Sequence, residues 1–245
     1  MTLLTLESWL EIAQRPNELA ANETGDKVVS GALFIGEDTT DPDAHGAKLF
    51  ERPKNHPVAV SSIIQYSSNA TEFHPSSQSL KEAANSYDDF IKKVSSFPGF
   101  RFTSSHHDEI RHNGNIQTLL KEVNKVYLRG HDKEQKDATN KILSGLLSHE
   151  HSGERSYTIS HLTIENLGTN ADLKIYILAI NQDVDHDDNG MITLTEDRAG
   201  LTVSEFTVNR GFLVSNADKL GEKISRAEIK DVVKDLTTPH CVVLS

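Results

Sequence analysis

Leu173-Lys-Ile-Tyr-Ile-Leu-Ala-Ile180 is the stretch that decides the fold, because it is apolar on both faces of an extended strand. Successive side chains in a strand point to opposite faces of the sheet. One face of this segment carries Leu173, Ile175, Ile177 and Ala179, and the other carries Lys174, Tyr176, Leu178 and Ile180. Strands that are apolar on both faces are typical of buried sheets. We therefore expect residues 173–180 to form a central strand that helices cover on one side.

Alternating segments surround this strand in the part of the chain after residue 150. Their apolar residues recur at every second position, which is the spacing of a half-buried strand. Short turns separate the segments, so they predict an antiparallel meander that ends in a helix at about 224–236. The further predicted strands are 157–164, 191–195, 201–208 and 212–215.

Before residue 150 the apolar residues follow the spacing of a helix instead. One helical face runs from Leu80 to Val94, and Phe97-Pro-Gly99 ends that helix. Two further stripes lie in 116–127 and 142–147. Helices followed by strands indicate the α+β class, with an N-terminal helical layer packed on a C-terminal antiparallel β-meander. We divide the chain into a mainly helical region, 1–150, and a β-rich region, 151–245, with a single intertwined domain as the alternative.

Asp185-His-Asp-Asp-Asn-Gly-Met-Ile-Thr-Leu-Thr-Glu196 has the ligand spacing of a calcium-binding loop. Oxygen-bearing side chains occupy the first, third and fifth places, and Gly190 takes the sixth, where such a loop turns sharply. Ca²⁺ is a hard cation that takes six to eight oxygen ligands, so this spacing predicts Ca²⁺ as the cofactor. The predicted ligands are Asp185, Asp187, Asn189, Met191 through its carbonyl, Thr193 through a water, and Glu196 through both carboxylate oxygens.

This loop resembles that of the EF-hand family, and the resemblance ends at the edges of the loop. It implies a non-enzymatic calcium-binding protein that interacts with or regulates a partner. In the family, one helix enters the loop and another leaves it. Here segment 172–182 is rich in β-branched residues and favours a strand. Segment 197–206 contains Gly200 where the second turn of the leaving helix should be.

A hairpin is the alternative, because Asn-Gly between apolar runs is a strong hairpin signal. If residues 190–196 form a strand, Glu196 lies about 20 Å along the chain from the turn and cannot complete a calcium shell. Such a hairpin would bind calcium more weakly, through Asp183, Asp185, Asp187 and Asp188.

Two weaker patterns have ordinary explanations that we prefer. Ala217–Glu228 is a poor echo of the same loop without acids at the first, third and fifth places, and Ser225 with Glu228 forms the capping box of a helix. Ser105-His-His-Asp-Glu-Ile-Arg-His112 would place Asp108 and His112 on one helical face, as in a zinc corner. We prefer to interpret that segment as a solvated polar helix start, with Ser104 or Ser105 as its cap.

Composition limits the partners and the compartment. A net charge of -11 argues against nucleic-acid binding, which needs clustered Lys and Arg. No apolar run approaches the ~20 residues of a transmembrane helix, and the mean hydropathy of -0.45 favours a soluble protein. The single Cys excludes an intrachain disulfide, and the N-terminus does not have the pattern of a signal peptide. We expect a cytoplasmic protein, or one exported without a classical signal peptide.

Two functional classes fit these patterns. The chain has no GxSxG elbow, P-loop or dinucleotide fingerprint, so the sequence favours a non-enzymatic protein without naming a catalytic residue. The first class is the calcium-binding interaction or regulatory protein, which requires 197–206 to be helical. The second is a membrane-acting virulence or toxin-type factor, with helices around a β-sheet and an acidic loop that is only a structural hairpin. It resembles cytolytic toxins in architecture alone. The partner is accordingly a protein or a membrane.

Overall fold

The apolar segment at 173–180 lies inside the longest strand of the protein that the structure describes. The computed structural model describes residues 5–11, 29–36, 41–73, 80–111, 116–127, 133, 136, 137, 140, 156–166, 172–186, 192–194 and 198–226. Within these residues the strands are β1 (Val29–Gly36), β2 (Phe100–Arg111), β3 (Ser156–Asn166), β4 (Leu173–His186), β5 (Ile192–Leu194) and β6 (Arg198–Val208). The helices are α1 (Leu6–Glu11), α2 (Ala47–Glu51), α3 (His56–Ala70), α4 (Leu80–Ser95), α5 (Ile116–Val126), α6 (Arg210–Ser215) and α7 (Ala217–Lys223).

β4 lies at the centre of the sheet, as its sequence predicts. The strand order is β1-β3-β4-β6-β2, and β5 pairs with the far end of β4. All pairs are antiparallel except β1 with β3, which are parallel. β1 and β2 precede residue 150, so one sheet is built from strands of both sequence regions. The predicted α+β class is confirmed.

Helices α1 to α4 cover one face of this sheet. Leu173, Ile175 and Ile177 of β4 stand on that face beside Phe206 and Val208 of β6, and all are buried. They form one core cluster with side chains of the four helices. α3 is buried along most of its length, and its inward hydroxyls bond to the carbonyls one turn earlier, as Ser62 does to Val58 at 2.8 Å. A polar residue is therefore accommodated there without an unpaired donor.

The opposite face of the sheet is covered as well, by α5. Leu178 and Ile180 of β4 are buried on that face, opposite Val203 and Leu201 of β6. Tyr127, directly after α5, meets the ring of Tyr176 edge-on at 6.3 Å between centroids. The sequence predicts helices on one side only, and this second layer corrects that prediction. An apolar second face on β4 requires a second layer, because exposed Leu and Ile would forfeit about 2 kcal/mol each.

Four sequence predictions need correction or completion. Residues 212–215 are not a strand but belong to α6, because the Asn209 side chain caps that helix by accepting the backbone N–H of Phe212 at 3.0 Å. Residues 100–111 are a strand inside the region predicted to be helical. The predicted helix at 224–236 does not begin at 224, because residues 224–226 are not helical and 227–236 lie outside the described residues. The stripe at 142–147 also lies outside them.

The contact between α2 and α7 brings two backbones together at Gly221. A Cβ on Gly221 would stand 2.2 Å from the Ala47 nitrogen and 2.3 Å from the Gly46 carbonyl carbon. Gly46 itself has φ +55°, a conformation that disfavours side chains. Arg226 reinforces the same region by donating from Nη1 to the carbonyls of Asp41, Pro42 and Ala44.

Gly221→Ala should lower the free energy of unfolding by about 1–3 kcal/mol, because the new methyl group meets backbone atoms that cannot rotate away. Urea unfolding measures the loss. Gly211→Ala in α6 is the matched control, since its Cβ would meet only the Asn209 Oδ1 at 3.4 Å. Equal stability of the two variants would contradict the close approach.

Candidate functional site

The acidic segment singled out by its sequence begins in the arm of a hairpin. β4 continues to His186 and pairs antiparallel with β5, with Val184 opposite Leu194 and Asp185 opposite Thr193. The first and ninth places of the predicted calcium loop therefore belong to two paired strands. This antiparallel pairing agrees with the hairpin that the sequence offers as the alternative to the calcium loop.

The remaining predicted ligands Asp187, Asn189, Met191 and Glu196 lie outside the described residues, and so do the side chains of Asp185 and Thr193. The ligand set accordingly stays a prediction. Within the described residues, no three His, Cys, Asp or Glu side chains converge to hold a metal ion.

The segments on either side of the predicted loop are strands rather than helices. β4 enters it, and Arg198–Val208 follows it as β6, between β4 and β2 in the sheet. The leaving helix that a calcium-responsive EF-hand requires at 197–206 is therefore not formed at 198–206. β-branched residues and Gly200 favour the extended conformation there. In the weaker echo, Ala217–Lys223 is the helix α7 instead of a loop.

The histidine-rich segment forms a strand at the edge of the described sheet. His106 and Asp108 point to one face of β2, whereas His107 and Glu109 point to the other, and all four are exposed. His107 Nδ1 lies 3.0 Å from the Thr202 hydroxyl of β6. The helical zinc corner is wrong, because the ladder with β6 alternates the side chains; His112 lies outside the described residues. Charged side chains on an edge strand discourage pairing with other chains.

A cluster of phenylalanines joins the starts of β2 and α6 at the opposite end of β4 from the hairpin. We call Phe97, Phe100, Phe102, Phe206 and Phe212 the aromatic corner. Ring centroids are 4.7 Å apart for Phe97–Phe100, 5.7 Å for Phe97–Phe212, 6.4 Å for Phe100–Phe206 and 5.5 Å for Phe102–Phe206. The tilted and edge-on geometry of these pairs is favourable for aromatic rings.

Backbone contacts hold the aromatic corner in place. Asn209 N–H donates to the Gly99 carbonyl at 2.8 Å, so α6 begins where β2 begins. Gly99 leaves room for two rings, since a Cβ there would stand 2.5 Å from Phe97 and 2.8 Å from Phe212. The corner is therefore a rigid part of the core that reaches the surface.

The surface of the aromatic corner carries apolar and cationic side chains together. Phe102 is 47% exposed, and Val214 in α6 is 43% exposed; they are the exposed large hydrophobic residues in the described part of the chain. Arg101, the residue before Phe102 in β2, is exposed on the opposite face of that strand. Arg210, one turn before Val214, donates to the Pro53 carbonyl at 3.2 Å. Apolar groups flanked by cations are a common composition at membrane interfaces.

His56 lies at the base of α6, at the first position of α3. It is fully buried, and its Nε2–H donates to the Phe50 carbonyl at 2.9 Å. Nδ1 is buried without a hydrogen-bond partner among the described residues. Burial, helped by the nearby positive charge of Arg210, lowers the pKa of His56 to about 4. The imidazole is consequently neutral at neutral pH.

The acidic hairpin is visible in the sequence, whereas the aromatic corner is not. Phe97, Phe100 and Phe102 look like an ordinary loop and strand start in the sequence, and Phe206 and Phe212 are more than 100 residues away. The one local signal is Phe97-Pro-Gly99. It marks the end of a helix but does not indicate which residues pack against that end. Only the pairing of β2 with β6 brings the two groups of rings together.

Comparisons with known proteins give distant structural likenesses. No family model matches the chain, and no curated protein sequence matches it. A delta-endotoxin structure is similar with a TM-score of 0.44 and 10% identity, covering 80% of this chain and 88% of that chain. The activated Cyt2Ba monomer of Bacillus thuringiensis subsp. israelensis is similar with a TM-score of 0.40 and 10% identity, covering 76% of this chain and 97% of that chain. These scores are too low to assign the fold or the activity of either protein.

Within the described residues, no helix is both long enough and apolar enough to cross a bilayer.

Acid should destabilise the protein through His56. Its pKa falls from 6.5 to about 4 on folding, so the unfolded state binds more protons between these values and stability is lost as the pH falls through them. The loss attributable to this group is roughly 3 kcal/mol when complete. Urea unfolding between pH 7 and pH 4 measures it.

His56→Gln keeps a donor for Phe50 and cannot titrate, so its stability should fall less steeply with acid than that of the wild type. His107→Gln, on the exposed part of β2, is the control and should retain the wild-type slope. If the free energy of unfolding fell equally with acid in the wild type and in His56→Gln, His56 would not be the cause of the acid destabilisation.

Proposed function

We propose that this chain is a membrane-acting protein of the virulence or toxin type, and that it first contacts lipid through the aromatic corner. The observation that carries the proposal is the exposure of Phe102 and Val214, with Arg210 one helical turn before Val214, in a chain whose net charge is -11. An acidic protein is repelled by anionic lipid as a whole. A local cationic and apolar surface is therefore what would orient it at a membrane.

The aromatic corner has the properties that such a contact needs. Phe102 presents an apolar ring on a rigid base, because Phe206 beneath it is fully buried. Insertion therefore costs little conformational entropy in the backbone. Arg52 and Lys54, on either side of Pro53, add half-exposed cations close to Arg210. Both pair with Asp41, at 3.5 and 3.9 Å, and exposed pairs of this kind contribute at most about 1 kcal/mol, so breaking them at a lipid surface would cost little.

The architecture favours this class over the calcium-responsive regulator. A sensor needs a helix after its loop that changes orientation when calcium binds. β6 occupies that place and hydrogen-bonds to β4 on one side and β2 on the other. Moving it would break two ladders at the centre of the sheet. In the proposed function, the acidic segment is a structural hairpin.

Phe102→Ser should weaken binding to phospholipid vesicles about fivefold, because roughly half of a phenyl side chain, about 1 kcal/mol, is lost from the lipid contact. Flotation measures binding, and release of an entrapped dye measures leakage. Vesicles of phosphatidylcholine alone and vesicles enriched in phosphatidylserine are compared, and the anionic vesicles should bind more tightly because of the cations around the corner.

Phe102→Leu is the matched control, since it keeps an apolar side chain at the same place and should bind nearly as the wild type does. Unfolding in urea separates a damaged contact from a damaged fold. Wild-type protein that neither binds nor permeabilises either kind of vesicle would overturn the proposal, and so would equal binding by the Ser and Leu variants.

Leakage should not require calcium if the acidic segment is a structural hairpin. The test is dye release with calcium and with a chelator, beside calorimetric calcium titration of the wild type, Asp185→Ala and Glu196→Gln. We expect weak calcium binding that Asp185→Ala removes and Glu196→Gln leaves unchanged. Tight binding weakened by both substitutions would instead support the full set of six predicted ligands and the regulatory class.

A further inference from the structure

Helix α1 is a short cover over α3 and α4 that is held by its side chains. Leu6, Trp9 and Leu10 are all buried in the core cluster. The Trp9 ring lies between Tyr66 of α3, with centroids 5.3 Å apart, and Phe97, at 4.7 Å. A helix of six residues is too short to be stable by itself in water. Its structure therefore depends on docking.

Reciprocal polar contacts join α1 to the two helices beneath it. The Trp9 indole N–H donates to the Lys93 carbonyl at 2.9 Å, and the Lys93 ammonium donates back to the Trp9 carbonyl. Lys93 Nζ also stands 4.4 Å from the centroid of the Trp9 ring. The Tyr66 hydroxyl donates to the Leu10 carbonyl at 2.8 Å. Undocking α1 would break all of these contacts together.

Lys93 is an unusual partner for this purpose because it is buried. Its described contacts are a backbone carbonyl and an aromatic ring, neither of which carries a full negative charge. Burial lowers the pKa of Lys93 from 10.5 to about 8. The docked state therefore favours the neutral amine, whereas a solvated Lys93 favours the ammonium.

We propose that α1 is a releasable clasp on α3 and α4, and that protonation of Lys93 loosens it. The neutral amine still donates to the Trp9 carbonyl, so deprotonation removes the cost of a buried charge without removing the contact. The docking of α1 strengthens as the pH rises from about 8 to about 10.5. Below this range docking is weaker and does not change with pH. The clasp is independent of whether the protein acts on membranes.

Other titratable groups around α1 do not account for a change in this range. Glu7 of α1 pairs with Lys219 of α7, which lowers the pKa of that carboxyl further into the acid range. Burial raises the pKa of Tyr66 on α3 above its usual value of 10.0. On α4, Lys92 and Asp89 pair with each other at 3.2 Å on the exposed side.

Trp9 is the single tryptophan of the chain, so its fluorescence reports on the surroundings of α1 without a contribution from another indole. The experiment measures acrylamide quenching of the full chain at about pH 7 and about pH 9.5, in urea chosen so that Trp9 is partly exposed at the lower pH. The docking equilibrium of the wild type should rise about thirtyfold at the higher pH. Lys93→Met keeps the aliphatic stem and cannot be charged, so acrylamide should quench Trp9 of this variant equally at the two pH values.

Two further variants make the result decisive. Lys92→Met, on the exposed side of the same helix, should keep the wild-type pH dependence. Lys93→Arg stays charged throughout, so its Trp9 should remain as accessible at the higher pH as at the lower; this comparison stands even if the Met variant does not fold. Unchanged quenching of the wild type, or the same pH dependence in Lys93→Arg, would overturn the clasp.

Discussion

Burial of both faces of β4 is the constraint on which the rest of the structure depends. A strand with Ile175 and Ile177 on one face and Leu178 and Ile180 on the other has no side that can meet water. It needs neighbours on both edges to satisfy its backbone, and it needs a helical layer above and another below. β3 and β6 provide the first requirement; α1 to α4 and α5 provide the second. The two helical layers thus follow from one stretch of sequence.

This arrangement also separates the two features that are candidates for function. The hairpin lies at one end of β4, whereas the aromatic corner lies about 30 Å away at the other end of the same strand. The corner belongs to the main core, so its exposed ring is supported by residues that the fold already requires. The hairpin is joined to the rest of the sheet through β4, which pairs with β3 as far as Asp183. A substitution at one end should therefore act independently of the other.

Local patterns made much of the fold predictable, and long-range pairing made the rest unpredictable. The helical face ending at Phe97-Pro-Gly99 and the alternation at 173–180 both appear in the structure as α4 and β4. β2 was missed because its exposed edge position permits charged residues on both faces, which removes the alternation that marks a strand. α6 was missed because the Asn209 cap outweighs a short apolar run. The spacing of the predicted calcium ligands is a local pattern too. The backbone pairing of Asp185 with Thr193 does not determine whether the side chains at these positions bind calcium.

The close contact of Gly221 with Gly46 and Ala47 has a consequence for how the chain folds. α2 cannot reach its final position until α7 exists to pack against it, and Arg226 bonds to the carbonyls around Asp41 only after that. β2 likewise has no pairing partner until β6 is present, and β1 has none until β3 is present. Contacts between residues so distant in sequence slow folding. During synthesis on the ribosome, the faces of the early helices that pack on the sheet and on α7 would therefore remain uncovered until nearly the last described residue had emerged, and these apolar faces would be the ones for a chaperone to protect.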